Sequence, residues 1–86
     1  MRVLIPSPLF SYTGGRRETD AAGRTLAEVV ADLDARYPGL RFRIVDEHGA
    51  IRPHIRFWVG TRLAPDLAAP VGPGDVVMIV AALTGG

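Results

Sequence analysis

The sequence VVMIVAA at residues 76–82 decides the fold of this chain. This run is continuous, apolar and rich in Val and Ile, and it directly follows the turn sequence GPGD at residues 72–75. Continuous apolar runs of this length are typical of a strand that is covered by protein on both faces. The run therefore predicts a central strand close to the end of the chain.

The segment from Thr25 to Tyr37 predicts one amphipathic helix. Thr25 and Glu28 have the spacing of a capping box, in which each side chain accepts from an otherwise unpaired backbone N–H group. Pro38 and Gly39 end the helix. The apolar residues recur at helical spacing and form one stripe: Leu26, Val29, Val30, Leu33 and Tyr37. A single stripe of this kind needs a sheet to cover it.

The remaining segments predict further strands around that helix. Residues 3–5 form a short strand stopped by Pro6, and residues 16–20 form a polar strand suited to a sheet edge. Residues 55–59 alternate as a half-buried strand, whereas residues 42–45 fit either a helical turn or a strand. A first hairpin, a crossing helix and a last strand in the sheet centre form the β-grasp plan. We therefore expect an α+β fold, with a mixed sheet packed on one main helix and parallel pairing of the first and last strands.

The composition limits the classes of function. The 86 residues make one domain, which we expect to span residues 1–82 and to carry a flexible functional tail at residues 83–86. A net charge of +1 is too balanced to indicate nucleic acid or an anionic membrane surface. All ten basic residues are Arg, and the absence of Cys excludes thiol catalysis, disulfides and thiolate metal sites. No apolar run could span a bilayer, so we expect a cytoplasmic protein.

The last four residues, Leu83, Thr84, Gly85 and Gly86, follow the predicted central strand directly. Four extended residues reach at most about 13–14 Å, far enough to enter the active site of another protein. Glycine has no Cβ atom to clash in a narrow channel. A terminal carboxylate can attack the α-phosphate of ATP, and a sulfur nucleophile can then displace AMP. The phosphate cradle, metal and thiol for this chemistry must come from a partner enzyme.

The Gly74-Asp75 turn before the apolar strand and the terminal Gly85-Gly86 resemble the MoaD/ThiS family of ubiquitin-like sulfur carriers. The resemblance implies that an E1-like, ATP-dependent enzyme adenylates the terminal glycine and converts it to a thiocarboxylate. It also implies that the carrier itself binds no cofactor, is not an enzyme, and donates its sulfur on a second, acceptor enzyme. By position, Gly86 carries the sulfur, whereas Gly85, together with Thr84 and Leu83, contacts the partner.

Several functions remain open within and beyond this resemblance. The long segment at residues 39–53 fits the larger carriers of the family, the cysteine-biosynthesis carrier and the small subunit of molybdopterin synthase, better than the compact thiamine carrier. The TGG turn at residues 13–15 favours the cysteine-biosynthesis carrier, whose acceptor is a cysteine synthase-like enzyme. The alternative is the small subunit of molybdopterin synthase, whose acceptor is the large subunit. Thr84 departs from the smaller residue of many members, and Gly60 stands where a turn Asn is frequent. A ubiquitin-like modifier joined to target lysines through Gly86, or a plain interaction module, also fits.

Trp58 is the main candidate for partner contact within the folded domain. If Ile55, Phe57 and Val59 face the helix, the alternation of the strand places Trp58 on the open face of the sheet. A large exposed aromatic residue on such a face often marks an interface. Packing against the sheet edge is the alternative.

Other polar residues are expected to be ordinary surface. His48 and His54 lack the neighbours of a metal or catalytic site, and the Asp46-Glu47 pair is expected to face water. Four arginines could form a basic strip: Arg41, Arg43, Arg52 and Arg56. We expect this strip to be ordinary solvated surface, and docking to an acidic partner is the second interpretation.

Overall fold

The computed structural model describes residues 1–81, so the predicted tail and Ala82 lie outside the described residues. The elements in chain order are β1 (Arg2–Leu4), a 3-10 helix (Ser7–Tyr12), β2 (Glu18–Asp20), α1 (Leu26–Arg36), α2 (Leu40–Ile44), β3 (Ile55–Val59), β4 (Arg62–Leu63) and β5 (Val76–Ala81). Within residues 1–81, no helix has the length and apolarity that crossing a bilayer requires.

The five strands form one mixed sheet in the order β2-β1-β5-β3-β4. The first and last strands pair in parallel, with Val3 opposite Val77, and the other pairs are antiparallel. The predicted central place of β5 and its parallel pairing with β1 are both confirmed. The short polar strand β2 lies at one edge, as its charged residues predict.

Helix α1 begins where the capping pattern predicts. The backbone N–H of Glu28 donates to the Thr25 hydroxyl at 3.3 Å, whereas the Glu28 carboxylate accepts from the backbone N–H of Arg24 at 3.0 Å. The glutamate therefore reaches one residue further back than a standard capping box. The predicted stripe is confirmed: its first four residues are buried in one cluster with the inner-face residues of the sheet, and Tyr37 packs against this cluster half-buried.

Residues 40–44 are helical, which resolves the ambiguity between a helical turn and a strand. Gly39 has a φ of 95°, a left-handed conformation that lets the chain reverse between α1 and α2. The Asp34 carboxylate accepts hydrogen bonds from the backbone N–H groups of Gly39 and Arg41 at 3.2 and 3.0 Å. Leu40 and Ile44 then complete the core beside α1.

Four further details differ from the sequence-based expectations. Strand β5 is covered on its inner face only: Val77 and Ile79 are buried, whereas Met78 is 37% exposed. The prediction of cover on both faces is wrong because the helices of residues 1–81 all pack on the inner face. The 3-10 helix and β4 were not predicted, and β1 begins one residue earlier than expected.

Replacing Leu33 by Ala tests whether the helix stripe forms the core. Leu33 is completely buried, so Leu33→Ala is expected to lower the free energy of unfolding by about 2–5 kcal/mol, as other buried Leu truncations do. Urea denaturation measures this loss. The matched control is Ala35→Ser on the exposed side of the same helix, for which a change within about 0.5 kcal/mol is expected. A loss below about 0.5 kcal/mol for Leu33→Ala would contradict the core assignment.

Candidate functional site: the outer sheet face and the chain exit

Strand β5 determines where the chain leaves the sheet. Ala81, the last described residue, lies opposite Ile55, the first residue of β3. The predicted attachment residue Gly86 and its neighbours Leu83, Thr84 and Gly85 lie outside the described residues, so their roles stay predictions. The end of the described strand at Ala81, which we call the chain exit, lies beside the turn that opens β3.

The turn before β5 is closed by Asp75. Its carboxylate accepts a hydrogen bond from the backbone N–H of Gly72 at 2.7 Å, and its own N–H donates to the Gly72 carbonyl at 3.1 Å. At the next residue, Val76, the backbone carbonyl accepts a hydrogen bond from the N–H of Gly60 at 2.9 Å. Asp75 therefore closes the turn from which β5 begins, and the pairing of β5 with β1 and β3 gives the register that places Ala81 opposite Ile55.

A row of apolar side chains crosses the outer face, the side of the sheet opposite the helices. The strand registers place Leu4 opposite Met78, Met78 opposite Trp58 and Trp58 opposite Leu63. Met78 is 37% exposed and Leu63 is 51% exposed, while Trp58 is half-buried between them. We call these four residues the outer row. A contiguous exposed apolar row on a small domain marks an interaction surface.

The predicted position of Trp58 on the open face is confirmed. Its neighbour Phe57 is completely buried on the inner face. Strand β3 is not an edge strand, because β4 continues the sheet beyond it. Trp58 therefore lies inside the outer row rather than at its end, which favours partner contact over edge packing. Its role in binding stays a prediction.

Charged residues border the outer row. Arg2 and Glu18 form an exposed ion pair at 2.8 Å beside Leu4, and Arg56 lies on the same face opposite Val80. An apolar centre with a polar rim is the usual anatomy of a protein–protein interface. The outer face therefore has the composition of a docking surface for another protein.

The two histidines and the Asp46-Glu47 pair do not come together as a site among residues 1–81. His48 and His54 are both exposed, and no group of three metal-ligating side chains occurs among residues 1–81. Asp46 does not act with Glu47, because its carboxylate accepts from the backbone N–H groups of Ala50 and His48 at 3.0 and 2.9 Å. The hydrogen bond from Ala50, aided by that from His48, lowers the pKa of Asp46 from its usual value.

Sequence reasoning missed three members of the outer row: Leu4, Met78 and Leu63. The signal for Met78 was present, because any strand whose second and fourth residues are buried presents the third to the other face. Leu63 had no such signal, since β4 is only two residues long. Its place in the row depends on pairing with Trp58, which only the folded sheet reveals.

Known proteins and one family model are similar to nearly the whole length of this chain. The model of the ThiS family matches residues 3–86. The sulfur carrier protein CysO of Mycobacterium tuberculosis is 35% identical over 89 aligned positions, which cover 98% of this chain and 96% of that protein.

Solved structures of similar chains have the same fold over nearly their whole length. A chain in the crystal structure of the BexX/CysO complex of Amycolatopsis orientalis is 32% identical, with a TM-score of 0.91 and coverage of 99% of this chain and 98% of that chain. SAMP1 of Haloferax volcanii has a TM-score of 0.79 over 100% of this chain and 98% of its own. At 23% identity it is informative about the fold alone. These likenesses and the strand order confirm the predicted β-grasp, ubiquitin-like fold.

Replacing Trp58 by Ala tests the outer face as a docking surface. Trp58→Ala is expected to weaken binding to the enzyme that the sequence predicts to activate the tail by about 1–3 kcal/mol, as loss of a central aromatic anchor does. Because Trp58 is the only tryptophan, its fluorescence should also change when the wild-type protein binds. Fluorescence titration measures the wild type, and calorimetric titration compares both proteins.

The buried neighbour provides the matched control. Phe57→Ala should cost about 3–5 kcal/mol of folding stability, whereas Trp58→Ala should cost much less. A large stability loss with unchanged binding for Trp58→Ala would assign Trp58 to the core.

Proposed function

The chain belongs to the ThiS family, and from that membership we propose that it is a sulfur carrier whose C-terminal Gly86 is adenylated and then converted to a thiocarboxylate. The match of the ThiS family model confirms the resemblance that the sequence predicts. The observation that carries the proposal is the family match over residues 3–86, which includes the Gly85-Gly86 pair. In this proposal the folded domain binds the partner enzymes, and residues 83–86 carry the group that reacts.

The proposed chemistry has two steps, both on the Gly86 carboxyl group. A carboxylate oxygen attacks the α-phosphorus of ATP, pyrophosphate leaves, and an acyl adenylate forms. A hydrosulfide-equivalent nucleophile then attacks the acyl carbon, the bond to the AMP oxygen breaks, and a thiocarboxylate remains after loss of a proton. The ATP site, the metal and the sulfur source belong to an E1-like partner enzyme, for which this chain is a protein co-substrate.

The described residues contribute binding and positioning. The outer row supplies apolar contact area, and the ordered turn at Asp75 holds β5 so that the chain leaves the sheet at a fixed place. Holding a reacting group in position converts a bimolecular reaction into an effectively unimolecular one. Docking through the domain therefore raises the effective concentration of the tail in the partner's active site.

The recipient that we propose is a cysteine synthase-like enzyme in cysteine biosynthesis. The support comes from the CysO relatives, which align over nearly all of the chain. A CysO protein also occurs in a complex with BexX, which supports the docking of a second protein on this fold. The small subunit of molybdopterin synthase, whose recipient is the large subunit, is the second candidate within the family.

Thiolation of Gly86 is the direct test. With ATP, the activating enzyme and a sulfide source, intact-protein mass spectrometry should show one oxygen replaced by sulfur, and fragmentation should locate it on the last residue. Deleting Gly86 should abolish the change while the unfolding curve stays the same. Gly86→Ala keeps the carboxylate but adds a methyl group, and a displacement of about 1 Å at a reacting centre slows reactions roughly 10²-fold.

Gly74→Ala is the matched glycine control. A Cβ atom at Gly74 meets no atom within 4 Å, so this variant should be thiolated at the wild-type rate. Thiolation of the protein without Gly86 would contradict the proposal. Failure of every E1-like enzyme of the same cell to thiolate the wild-type protein would also contradict the proposal.

A second experiment separates the carrier from a ubiquitin-like modifier. Both require the same adenylation, and the likeness to SAMP1 concerns the fold alone at 23% identity. A carrier should be recovered from cells mainly as the free protein or in non-covalent complexes. Immunoblots under denaturing conditions measure this distribution, and a predominance of isopeptide-linked forms would favour the modifier.

A further inference from the structure

An aromatic side chain is fixed in an exposed position on α2. Phe42 is 64% exposed, more than any other large hydrophobic residue among residues 1–81. The Arg52 guanidinium lies over its ring at 5.0 Å from the centroid, and the Arg52 Nε–H donates to the Phe42 carbonyl at 2.8 Å. Because two contacts already order the pair, little conformational freedom is left to lose when a partner binds there.

A second arginine is ordered beside the chain exit. One terminal nitrogen of Arg56 donates to the carbonyls of Pro53 and Ile55 at 2.7 and 2.9 Å. Ile55 is the residue opposite Ala81. Arg56 therefore lies at the end of the sheet that holds Ala81, and among residues 1–81 its other guanidinium nitrogens make no hydrogen bond or ion pair.

A groove of about 220 Å³ connects these arginines to the outer row. Its lining includes Arg52, Pro53 and Arg56 together with Leu63. Its volume is below the roughly 300–1,000 Å³ of small-molecule sites, which fits a single side chain of a partner better than a free ligand. Leu63 also belongs to the outer row, so the groove and that row form one continuous surface.

The charge of this part of the chain is strongly asymmetric. Five of the ten basic residues lie between residues 39 and 65, with only Asp46 and Glu47 of the nine acidic ones. Asp46 is engaged by the amides of its own loop, and the Glu47 carboxylate lies 3.6 Å from the His48 ring. The region is basic within a protein whose net charge is only +1.

We propose that Phe42, Arg52, Pro53, Arg56 and Leu63 form an exit patch that docks an acidic segment of the enzyme that activates the tail. This inference rests on the proposed function. Carboxylates of the segment pair with Arg52 and Arg56, and one of its apolar side chains enters the groove beside Leu63. Because Arg56 lies next to the exit, docking here orients the tail towards the active site.

An acidic protein segment fits this patch better than nucleic acid does. Binding to a phosphate backbone depends on many neutralised charges, whereas the patch offers two guanidinium groups beside a groove that Leu63 and Pro53 also line. The groove also shares Leu63 with the outer row, so a protein partner could contact both, because protein interfaces combine an apolar centre with a polar rim.

The first test measures adenylation kinetics with the enzyme that thiolates the wild-type protein. The Arg52→Gln/Arg56→Gln double variant and Phe42→Ser should raise KM for the carrier about tenfold while kcat stays unchanged, because docking is lost but chemistry is not. The effect of the double variant should shrink as salt rises from about 50 to 300 mM, since exposed charges become screened. Arg24→Gln is the control: this exposed arginine lies by Pro70 and Val71, before β5 begins.

The second test is independent of activation. The ¹⁵N-labelled intact protein is titrated with a synthetic peptide of Glu residues flanking one Leu, with the same peptide carrying Gln for Glu, and with a single-stranded oligonucleotide. Saturable shifts of the amides of Phe42, Arg52 and Arg56 with the Glu peptide alone would support the exit patch.

The outcomes distinguish the two proposals. Normal KM values for the patch variants, or no shifts with the Glu peptide, would overturn the exit patch and leave the sulfur-carrier function intact. Stronger shifts with the oligonucleotide would also overturn it. Shifts with the Glu peptide in a protein that no enzyme adenylates would overturn the carrier function and support the patch as a site for acidic segments.

Discussion

The parallel pairing of β1 with β5 is the constraint on which the rest of this structure depends. It joins Val3 near one end of the chain to Val77 near the other, and both are completely buried. Strand β5 is thereby hydrogen-bonded on both sides, and everything between the two strands must cross the sheet and return. Helix α1 makes that crossing and buries its stripe on the inner face. The same pairing places the last strand in the centre of the sheet, with a partner strand on each side up to Ala81.

This arrangement separates binding from chemistry. The helices cover the inner face of the sheet, whereas Trp58, Met78 and Leu63 lie on the outer face, where a partner can contact them. The reacting group that we propose is a carboxylate on Gly86, five residues after the last described residue. A carrier built in this way needs no catalytic residue of its own, because affinity comes from the domain and reactivity from the partner. It must only present its tail at a reproducible place, and the Asp75 turn and the β5 register serve this purpose.

The acidic and basic side chains are used differently. Six of the nine acidic residues accept hydrogen bonds from backbone N–H groups and so hold turns and helix ends in place: Glu28, Asp32, Asp34, Asp46, Asp66 and Asp75. Among residues 1–81, only Arg2 and Arg36 form ion pairs with carboxylates. A protein with balanced overall charge can therefore present guanidinium groups to a partner, because its carboxylates are largely committed to its own backbone.

The amino-acid sequence by itself determined the elements whose signal is local. Capping spacing and the apolar stripe located α1, alternation located β3, and the apolar run located β5. The Gly85-Gly86 pair and the Gly74-Asp75 turn indicated the family. These features could be predicted because helical and strand periods are properties of neighbouring residues.

Tertiary structure alone decided the features that depend on distant residues. The helix at residues 40–44 begins where the Asp34 carboxylate accepts from the backbone N–H groups of Gly39 and Arg41 and buries Leu40 and Ile44 in the core. Met78 is exposed because no described helix covers the outer face. The outer row exists only through cross-strand register, and the contact of Arg52 with Phe42 joins residues ten positions apart. The physical reason is common to all of them. Burial and contact are set by what packs opposite a residue, and a residue's own pattern does not encode what lies opposite it.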